Sequence, residues 1–332
     1  MPESRRSISV IICAYTLDRW DAIGEAIASL RRQTRVPEEI LLVVDHNPEL
    51  LTRAAEAFPD LRVVANEQQR GLSGGRNTGI ALAGGDLLVF FDDDAVAAED
   101  WIERLERRCA EPGVLGATNP VAPQWLGTPP AWFPPEFLWT VGCSFPGAEA
   151  LGGGEVRNLQ GGAMMFHREV FDRIGGFSHQ LGRTGANTVL LSCEETELCI
   201  RARAAFPDGR FMSDASTRIW HKVSAERMTV RYFCRRTHAE GLSKARVAAL
   251  SARHGNLATE RGYVLGVLSR AVGRDLVRAL TRLDRNAAAR AGMIILGLAC
   301  AGAGFIRGRH LWSRSERPAE AAGAAATRTA EG

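Results

Sequence analysis

The chain has 332 residues, of which 45% are hydrophobic and 24% are charged, as is ordinary for a soluble globular protein with one large α/β domain or two smaller ones. The net charge of +3 is too small to indicate a nucleic-acid partner. The charge is distributed unevenly along the chain. Residues 222–332 contain 20 Lys and Arg against 8 Asp and Glu, whereas residues 1–221 contain 21 Lys and Arg against 30 Asp and Glu. The basic C-terminal third is compatible with an anionic membrane surface, and equally with solvated helix faces.

The seven cysteines are scattered without a CxxC pair. This pattern is typical of reduced thiols in the cytoplasm rather than of disulfides or a zinc site. The polar segment 1–6 leads directly into a predicted strand and has none of the features of a signal peptide. We therefore expect a cytoplasmic protein.

The first 91 residues alternate short apolar runs with segments of helical spacing. Strands are predicted at 8–13, 40–44, 61–65 and 87–91, and helices at 20–33, 50–58 and 76–83, the last of them after a glycine-rich loop at 69–75. This alternation predicts a parallel, doubly wound sheet. Polar groups follow the first, second and fourth strands at Tyr15, Asp45 and Asp92–Asp94. We expect them to meet in one crevice.

The second half of the chain is less regular. The proline-rich segment 118–146 is predicted to be irregular and to line a cleft, with its tryptophans either packed or stacked on sugar rings. A helix is predicted at 190–205, a strand at 218–223 and mainly helical structure over 229–283. The apolar stretch 291–306 has 16 residues, fewer than the roughly 20 that span a bilayer. It is predicted to be a buried core helix or, preferably, an interfacial membrane anchor.

Three consecutive aspartates, Asp92–Asp94, follow the predicted strand at 87–91. Carboxylates crowded at the end of a strand repel one another, so we expect a positive charge to hold them together. Mg²⁺ and Mn²⁺ prefer oxygen ligands and commonly bridge carboxylates to substrate phosphates. Capping of a following helix would account for one aspartate but poorly for three. The triplet therefore predicts metal-assisted phosphate binding.

Several segments, in chain order, resemble family 2 glycosyltransferases. They are 9–14, 43–45, 70–79 and 90–94 in that family's nucleotide-binding half, and 175–177, 194–201 and 220–222 in its acceptor half. The resemblance covers roughly residues 8–225 and implies a GT-A fold: one α/β domain, with a mostly parallel sheet flanked by helices, that binds a nucleoside diphosphate sugar.

The same resemblance implies a division of the chain. Residues 1–117 are predicted to form the nucleotide-sugar-binding half and residues 118–228 the acceptor-binding and catalytic half of one domain. Beyond the resemblance, the sequence pattern predicts a helical C-terminal extension over residues 229–312, and the composition of residues 313–332 predicts a disordered tail.

The residues that this resemblance assigns to the donor are Ala14, Tyr15, Asp45, Gly74, Arg76, Asp92 and Asp93. Asp45 can accept hydrogen bonds from the base or ribose, although His46 stands where the family usually has a second Asp. An alternative interpretation makes Asp45 a turn-forming residue. Gly74 lets the backbone approach a ligand closely, and Arg76 supplies a guanidinium suited to phosphate.

The metal site implied by the resemblance comprises Asp94 and His221, with Asp92 facing the ribose. The implied cofactor is Mg²⁺ or Mn²⁺, which would neutralise the charge that develops on a diphosphate leaving group. The alternative for His221 is a structural histidine on a strand.

Glu194 and Glu195 stand where the family usually has Glu-Asp at the start of a helix. Glu195 aligns with the usual Asp, so we expect it to act as the general base that removes the proton of the acceptor hydroxyl. Glu194 is the second candidate. The alternative is that both carboxylates only stabilise the N-terminus of the helix.

The expected function is metal-dependent, inverting transfer of a sugar from a nucleoside diphosphate sugar, preferably a UDP-sugar, to a hydroxyl acceptor in glycan or glycoconjugate biosynthesis. The acceptor classes are a glycan, a lipid-linked molecule or a small molecule, and contact with the inner face of the cell membrane is expected through 287–309. One alternative is a sugar-nucleotide pyrophosphorylase, which the late position of Gly74-Gly75-Arg76 disfavours. The other is a non-catalytic nucleotide-sugar-binding subunit of a membrane glycan assembly complex.

Overall fold

The computed structural model describes residues 5–182, 191–250 and 262–315. Four parallel strands form the first half of the main sheet, in the spatial order β3-β2-β1-β4. They are β1 (Ile8–Ala14), β2 (Glu39–Val44), β3 (Arg62–Ala65) and β4 (Leu87–Asp92). β1 and β4 are apolar and almost fully buried, as expected for strands that are covered on both faces.

Helices α1 (Trp20–Arg31), α2 (Pro48–Ala57) and α3 (Leu72–Leu82) connect these strands. α2 begins as its sequence dictates, because the Asn47 side chain accepts a hydrogen bond from the Leu50 amide and proline occupies the first helical position. α3 begins at Leu72, four residues before the predicted start. Gly74 and Arg76 therefore lie in the first turns of a helix and not in the loop before it.

The second half of the chain completes an eight-stranded sheet in the order β3-β2-β1-β4-β9-β6-β10-β8 and adds a three-stranded sheet in the order β5-β11-β7. Its strands are β5 (Ala95–Ala97), β6 (Val114–Thr118), β7 (Val121–Trp125), β8 (Gly154–Val156), β9 (Ala163–His167), β10 (Arg210–Ser213) and β11 (Ile219–Val223). Its helices are α4 (Trp101–Cys109), α5 (Arg168–Ile174) and α6 (Glu194–Ala205).

The main sheet is mixed, because β9 runs antiparallel to both β4 and β6, and β8 antiparallel to β10. The segment 118–146 is also more ordered than predicted, since it contains β7 and a 3₁₀ helix, Pro135–Val141. Its tryptophans Trp125, Trp132 and Trp139 pack against the hydrophobic core, which supports the packing interpretation.

The two faces of the main sheet bury separate hydrophobic clusters, and neighbouring residues of β4 divide between them. Phe91 packs on Trp101 of α4, whereas Phe90 contacts Phe166, Phe171 and other rings on the opposite face. This division follows from the alternation of side chains along a strand. Because β4 is anchored on both faces, the aspartates at its end are held at a fixed point of the sheet edge.

The C-terminal part of the chain is helical, as predicted. It contains α7 (Val230–Leu250), a π-helical turn (Val264–Leu268), α8 (Ser269–Arg282) and α9 (Arg285–Ser315), and α9 packs along both α7 and α8. The predicted tail begins inside the last turn of α9, and its residues 316–332 lie outside the described part of the chain, as does the predicted start of α6 at residue 190.

α9 is a single helix of 31 residues, considerably longer than the apolar stretch predicted from sequence. Among the described helices, it is the one that is long and apolar enough to cross a membrane by length and composition. Only 28% of its most apolar window is buried within the chain. Core helices of soluble proteins satisfy the same criterion, so this property alone does not assign a membrane span.

Candidate active site

The strand register brings the predicted donor residues to one edge of the sheet. Cys13 of β1 pairs with Asp92 of β4, and Ala14 pairs with Val44 of β2. Because these strands are parallel and adjacent, the segments that follow them begin side by side. Tyr15, Asp45 and the aspartate triplet therefore converge, as predicted.

Asp94 and His221 meet because β11 pairs with β5 and places His221 opposite Ala95. His221 Nε2 lies 3.1 Å from Asp94 Oδ1, and Arg227 Nη2 lies 3.4 Å from Asp94 Oδ2. All three side chains are buried. Although burial opposes ionisation, His221, Arg19 and Arg227 hold the pKa of Asp94 well below its usual range. Asp94 is therefore a carboxylate at neutral pH.

Asp92, Asp94 and His221 form a group whose ligand atoms all lie within 4.8 Å of one another. Within the described part of the chain, His221 Nδ1 is buried without a hydrogen-bond partner. Two carboxylate oxygens and an imidazole nitrogen suit a divalent cation, and oxygen ligands favour Mg²⁺ or Mn²⁺. The residues thus fit the predicted metal and add Asp92, which the sequence assigned to the ribose, to its ligand set.

Asp93 is not a member of this group and pairs with Arg19, whose Nη1 lies 2.5 Å from Asp93 Oδ1 and 3.1 Å from Asp94 Oδ2. Burial raises the pKa of Asp93, Arg19 lowers it, and the Asp94 and Asp92 carboxylates raise it. The result is a pKa of about 7. Arg19 also lies over the exposed ring of Tyr15, 5.3 Å from its centroid. Arg19 thus connects a predicted donor residue to the aspartates.

The carboxylate of Asp92 lies directly against the backbone at Gly162. A Cβ atom at this position would come within 2.1 Å of Asp92 Oδ2, so any larger residue would displace the aspartate. Asp92 is the most accessible member of the triplet, with its side chain 32% exposed. It is the aspartate that a ligand can reach directly.

Arg76 joins the two halves of the site. Its Nη1 donates to Glu194 Oε1 over 2.9 Å, its Nη2 donates to the Gly161 carbonyl over 2.6 Å, and Nη2 lies 3.9 Å from Asp92 Oδ1. The early start of α3 makes this possible, because Arg76 projects from the first turns of a helix that packs on β1 and β2, and its guanidinium lies 5.9 Å from the centre of the Phe90 ring of β4. A buried guanidinium with two acidic neighbours fixes the donor residues relative to α6.

Glu195 sits at the N-terminus of α6, beside Glu194, and is half-buried. Burial and the adjacent Glu194 raise the pKa of Glu195 to about 8, against a smaller lowering effect of Arg76. Arg76 pairs with Glu194, which leaves Glu195 with a raised proton affinity near neutral pH. Perturbation of this kind is typical of a group that exchanges protons in catalysis.

Asp45 is enclosed by its own chain. Its Oδ1 accepts from Asn66 Nδ2 over 2.7 Å and lies 3.0 Å from His46 Nδ1, while Oδ2 accepts from the Gly71 amide over 3.0 Å. The carboxylate therefore fastens the loop that leads into α3. This geometry fits the turn-forming interpretation at least as well as the predicted contact with the nucleotide.

Ala14 is buried at the end of β1, and Gly74 packs against the loop before α3. A Cβ atom at Gly74 would lie 1.8 Å from the Gln69 carbonyl oxygen. Glycine at this position is thus required by the chain itself. Gly74 stays a predicted donor residue, but the absence of a side chain at this position is explained without a ligand.

Sequence reasoning missed Arg19, Arg227 and Asn66. Arg19 and Arg227 neutralise the aspartates, and Asn66 binds Asp45. A signal was available for the arginines, since three adjacent carboxylates require compensating cations, but their positions in the sequence do not identify them.

Comparison with known proteins decides the family. The model of the family described as glycosyl transferase family 2 matches residues 9–175. A glucosyl-dolichyl phosphate glucuronosyltransferase of Haloferax volcanii is 34% identical over 242 residues, which cover 71% of this chain and 76% of that protein. The chain belongs to glycosyltransferase family 2. It is accordingly a glycosyltransferase, as the resemblance in its sequence implied.

Solved structures confirm the GT-A fold of this family 2 member. A mannosyltransferase from Pyrobaculum calidifontis, in complex with GDP-Man and Mn²⁺, superimposes with a TM-score of 0.58 at 17% identity and covers 90% of this chain and 87% of that one. GalNAc-T7 with UDP, GalNAc and Mn²⁺ gives a TM-score of 0.52 at 16% identity over 79% of this chain and 54% of that one.

Proposed function

We propose that this family 2 glycosyltransferase is a metal-dependent, inverting enzyme that transfers a sugar from a nucleoside diphosphate sugar to a hydroxyl acceptor. The observation that carries the proposal is the position of Arg76. Its guanidinium lies 2.9 Å from Glu194 and 3.9 Å from Asp92. Arg76 thereby connects the predicted metal ligand Asp92 to Glu194, and so to the adjacent Glu195, whose carboxyl group has a raised pKa.

The cation would be held by Asp94, His221 and Asp92, and Mn²⁺ or Mg²⁺ is the ion this set favours. When bound, it supplies the positive charge that stabilises a departing diphosphate. Arg19 and Arg227 already place two guanidinium groups beside Asp94. They are suited to bind the phosphate oxygens once these reach the site.

Glu195 is the proposed general base. In its ionised form it removes the proton from the acceptor hydroxyl while that oxygen forms a bond to the anomeric carbon and the bond to the diphosphate breaks. The proton ends on the Glu195 carboxylate and the electron pair on the diphosphate. One displacement of this kind inverts the anomeric centre, and the site geometry requires no separate protein nucleophile.

The donor is proposed to be a UDP-sugar, in keeping with the family resemblance. One of the two solved structures contains GDP-Man and the other UDP, so both nucleotides belong in the test. Tyr15 offers an exposed ring at the edge of the site, where it can stack on a base. The non-catalytic alternative predicts donor binding without turnover.

We also propose a lipid-linked acceptor at the inner face of the cell membrane, in line with the dolichyl phosphate in the name of the Haloferax volcanii relative. The predicted segment 287–309 exposes Ile295 and Ile306 on α9, with 57% and 60% of their surface accessible. The neighbouring Leu280 and Leu283 are 80% and 85% exposed. Exposed arginines flank them, at positions 278, 282, 285, 307 and 309. Exposed apolar residues with arginines close to them in the sequence are typical of helices that lie in an anionic membrane interface.

Vesicle co-sedimentation tests the membrane contact. Wild-type protein is expected to bind vesicles that contain anionic lipid and to bind zwitterionic vesicles more weakly. Ile295→Asp/Ile306→Asp should lose this binding, whereas the control Val36→Asp, which changes a 57% exposed residue on the catalytic body, should not. Equal binding of the wild type and the Ile295/Ile306 double variant would contradict the contact.

Sugar transfer to glucosylated polyprenyl phosphate tests the activity. Wild-type protein with UDP-sugar and Mn²⁺ should give a product of inverted anomeric configuration, and chelator or Asp94→Ala should abolish it. Glu195→Gln should bind the donor and fail to transfer the sugar. Full transfer by Asp94→Ala in the presence of chelator would contradict metal dependence, and turnover by Glu195→Gln would remove the base from this residue.

A further inference from the structure

Side chains on one face of α7 form hydrogen bonds with the two residues that precede α6. Arg236, Glu240 and Ser243 follow one another at helical spacing, so their side chains share this face. Glu240 Oε2 accepts from Ser192 Oγ over 2.9 Å, and Glu240 Oε1 accepts from Cys193 Sγ over 3.4 Å. Ser243 Oγ accepts from the Ser192 amide over 2.9 Å. Both residues before the catalytic glutamates are therefore bound to α7.

The backbone at this junction needs such support. Cys193 has a φ of +71°, in the left-handed region that non-glycine residues seldom occupy. It is the N-cap of α6, yet its side chain makes no capping hydrogen bond to the helix. Residues held in this conformation persist only when the surrounding structure fixes them. The hydrogen bonds from Ser192 and Cys193 to α7 provide that restraint.

The carboxylate that makes these contacts is itself firmly placed. Arg236 Nη1 donates to Glu240 Oε2 over 3.1 Å, and the Glu240 side chain is only 17% exposed. Arg236 is buried, and its guanidinium lies 5.9 Å from the centre of the Trp139 ring. A buried, paired carboxylate on α7 thus holds the two residues that lead directly into Glu194 and Glu195.

We infer that Glu240 is a positioning residue for the catalytic base, and that α7 is part of the catalytic apparatus rather than an appended helix. The inference rests on the proposed role of Glu195. Glu240 acts through Ser192 and Cys193, which hold the left-handed turn from which Glu194 and Glu195 start. The pair Arg76–Glu194 fixes the same turn from the donor side.

Electrostatics provides a second connection between the two residues. The groups that act on the pKa of Glu195 are, after burial itself, Glu194, Arg76 and Glu240, and the negative charge of Glu240 raises it. Removal of that charge should lower the pKa of Glu195 and move the acid limb of the pH profile to lower pH. A residue that only stabilises the fold would leave the profile where it is.

The test measures kcat, the KM for the donor, and the pH dependence of kcat/KM for Glu240→Gln. We expect kcat to fall about 10- to 100-fold, the size of effect produced by a small misplacement of a reacting group. KM for the donor should change little, and the acid limb should shift downward. Glu240→Asp should restore part of kcat. Glu103→Gln, at a half-buried carboxylate on α4 that pairs with Arg107, is the control and should match the wild type.

Ser243→Ala keeps the test decisive if Glu240→Gln does not fold. It removes one hydrogen bond to the Ser192 amide and should lower kcat about threefold to tenfold without an effect on donor KM. Wild-type kcat and an unshifted acid limb in Glu240→Gln, or wild-type kcat in Ser243→Ala when Glu240→Gln is unfolded, would overturn the inference. Turnover by Glu195→Gln would instead refute the base assignment on which it rests.

Discussion

Arg76 and Glu194 form a buried ion pair in which Nη1 and Oε1 are 2.9 Å apart. The guanidinium comes from the start of α3 and the carboxylate from the start of α6, so the pair spans the two halves of the domain. It also gives the neighbouring glutamates different environments. Glu194 has a partner, and Glu195 is left with the raised pKa that suits a base.

Arg76→Met should destabilise the protein strongly, because it leaves Glu194 buried without its counter-charge. The expected loss in the free energy of unfolding is about 3–5 kcal/mol, measured by urea denaturation at neutral pH. Arg31→Met is the matched control, since its partner Asp60 is exposed and such pairs contribute only about 0–1 kcal/mol. Equal stability of the two variants would mean that Arg76 does not hold the domain halves together.

The pH dependence of kcat/KM should report the state of Glu195. Burial and Glu194 raise its pKa from 4.5 to about 8, and only the ionised form can accept the acceptor's proton. Activity should therefore fall about tenfold for each pH unit below 8. A profile that stays flat down to pH 6 would contradict a base with this pKa.

The ionisation of Glu195 should also affect stability, but stability should fall as pH rises, whereas activity increases. A pKa that is higher in the folded than in the unfolded state favours folding at low pH, and this contribution is lost as pH rises from 4.5 through about 8. Glu195→Gln should thus match the wild-type Tm at pH 4 and exceed it at pH 9. A gain of about 1–2 °C corresponds to ~1 kcal/mol in a chain of this length. The same Tm for both proteins at pH 9 would show that ionised Glu195 costs no stability.

Arg227→Met should change metal and nucleotide binding in opposite directions. Arg227 lies 3.4 Å from Asp94 and 3.4 Å from His221, so its charge repels a cation bound there. Without donor, Mn²⁺ affinity measured by calorimetry should rise about tenfold in the variant. UDP affinity in the presence of Mn²⁺ should fall, because a phosphate partner is lost.

The exposed Arg231 on α7 provides the control, Arg231→Met, which should change neither affinity. Mn²⁺ affinity that stays the same or falls in Arg227→Met would show that this arginine does not compete with the cation.

Asp45→Asn distinguishes the two interpretations of Asp45. The Gly71 amide and Asn66 Nδ2 donate to different oxygens of this carboxylate, and an amide group can accept only one of these bonds. The variant should lose about 1–3 kcal/mol of stability without any ligand, as thermal unfolding would show. Wild-type stability combined with weaker UDP binding would instead assign the carboxylate to the nucleotide.

The positions of the four strands in the first half and of the helices between them were predictable, because the strands are buried apolar runs and the helices have clear apolar spacing. The aspartate triplet was predictable for the same reason, since it directly follows the most apolar of these runs. The antiparallel pairing of β9 with β4 and β6 was not predictable, because the neighbours that a strand joins depend on contacts between residues far apart in the chain.

The remaining parts of the site depend on side chains that meet only after folding. Arg19 and Arg227 are 208 positions apart in the sequence, and nothing in their local context connects them to Asp94. The start of α3 was placed too late because Gly74 and Gly75 are unfavourable in helices. Close packing against Gln69 and Cys13 outweighs that preference.

We propose that a cation at Asp92, Asp94 and His221 creates the donor site. This is tested by the thermal shift of wild-type protein and Asp94→Ala with UDP-glucuronic acid, UDP-glucose, GDP-mannose and the corresponding CDP- and dTDP-sugars, each with Mn²⁺ and with chelator. Binding to the folded state raises Tm by mass action. We expect a shift with a UDP-sugar that requires both Mn²⁺ and Asp94. A shift of equal size with chelator or in Asp94→Ala would show that the donor binds without a cation at this site.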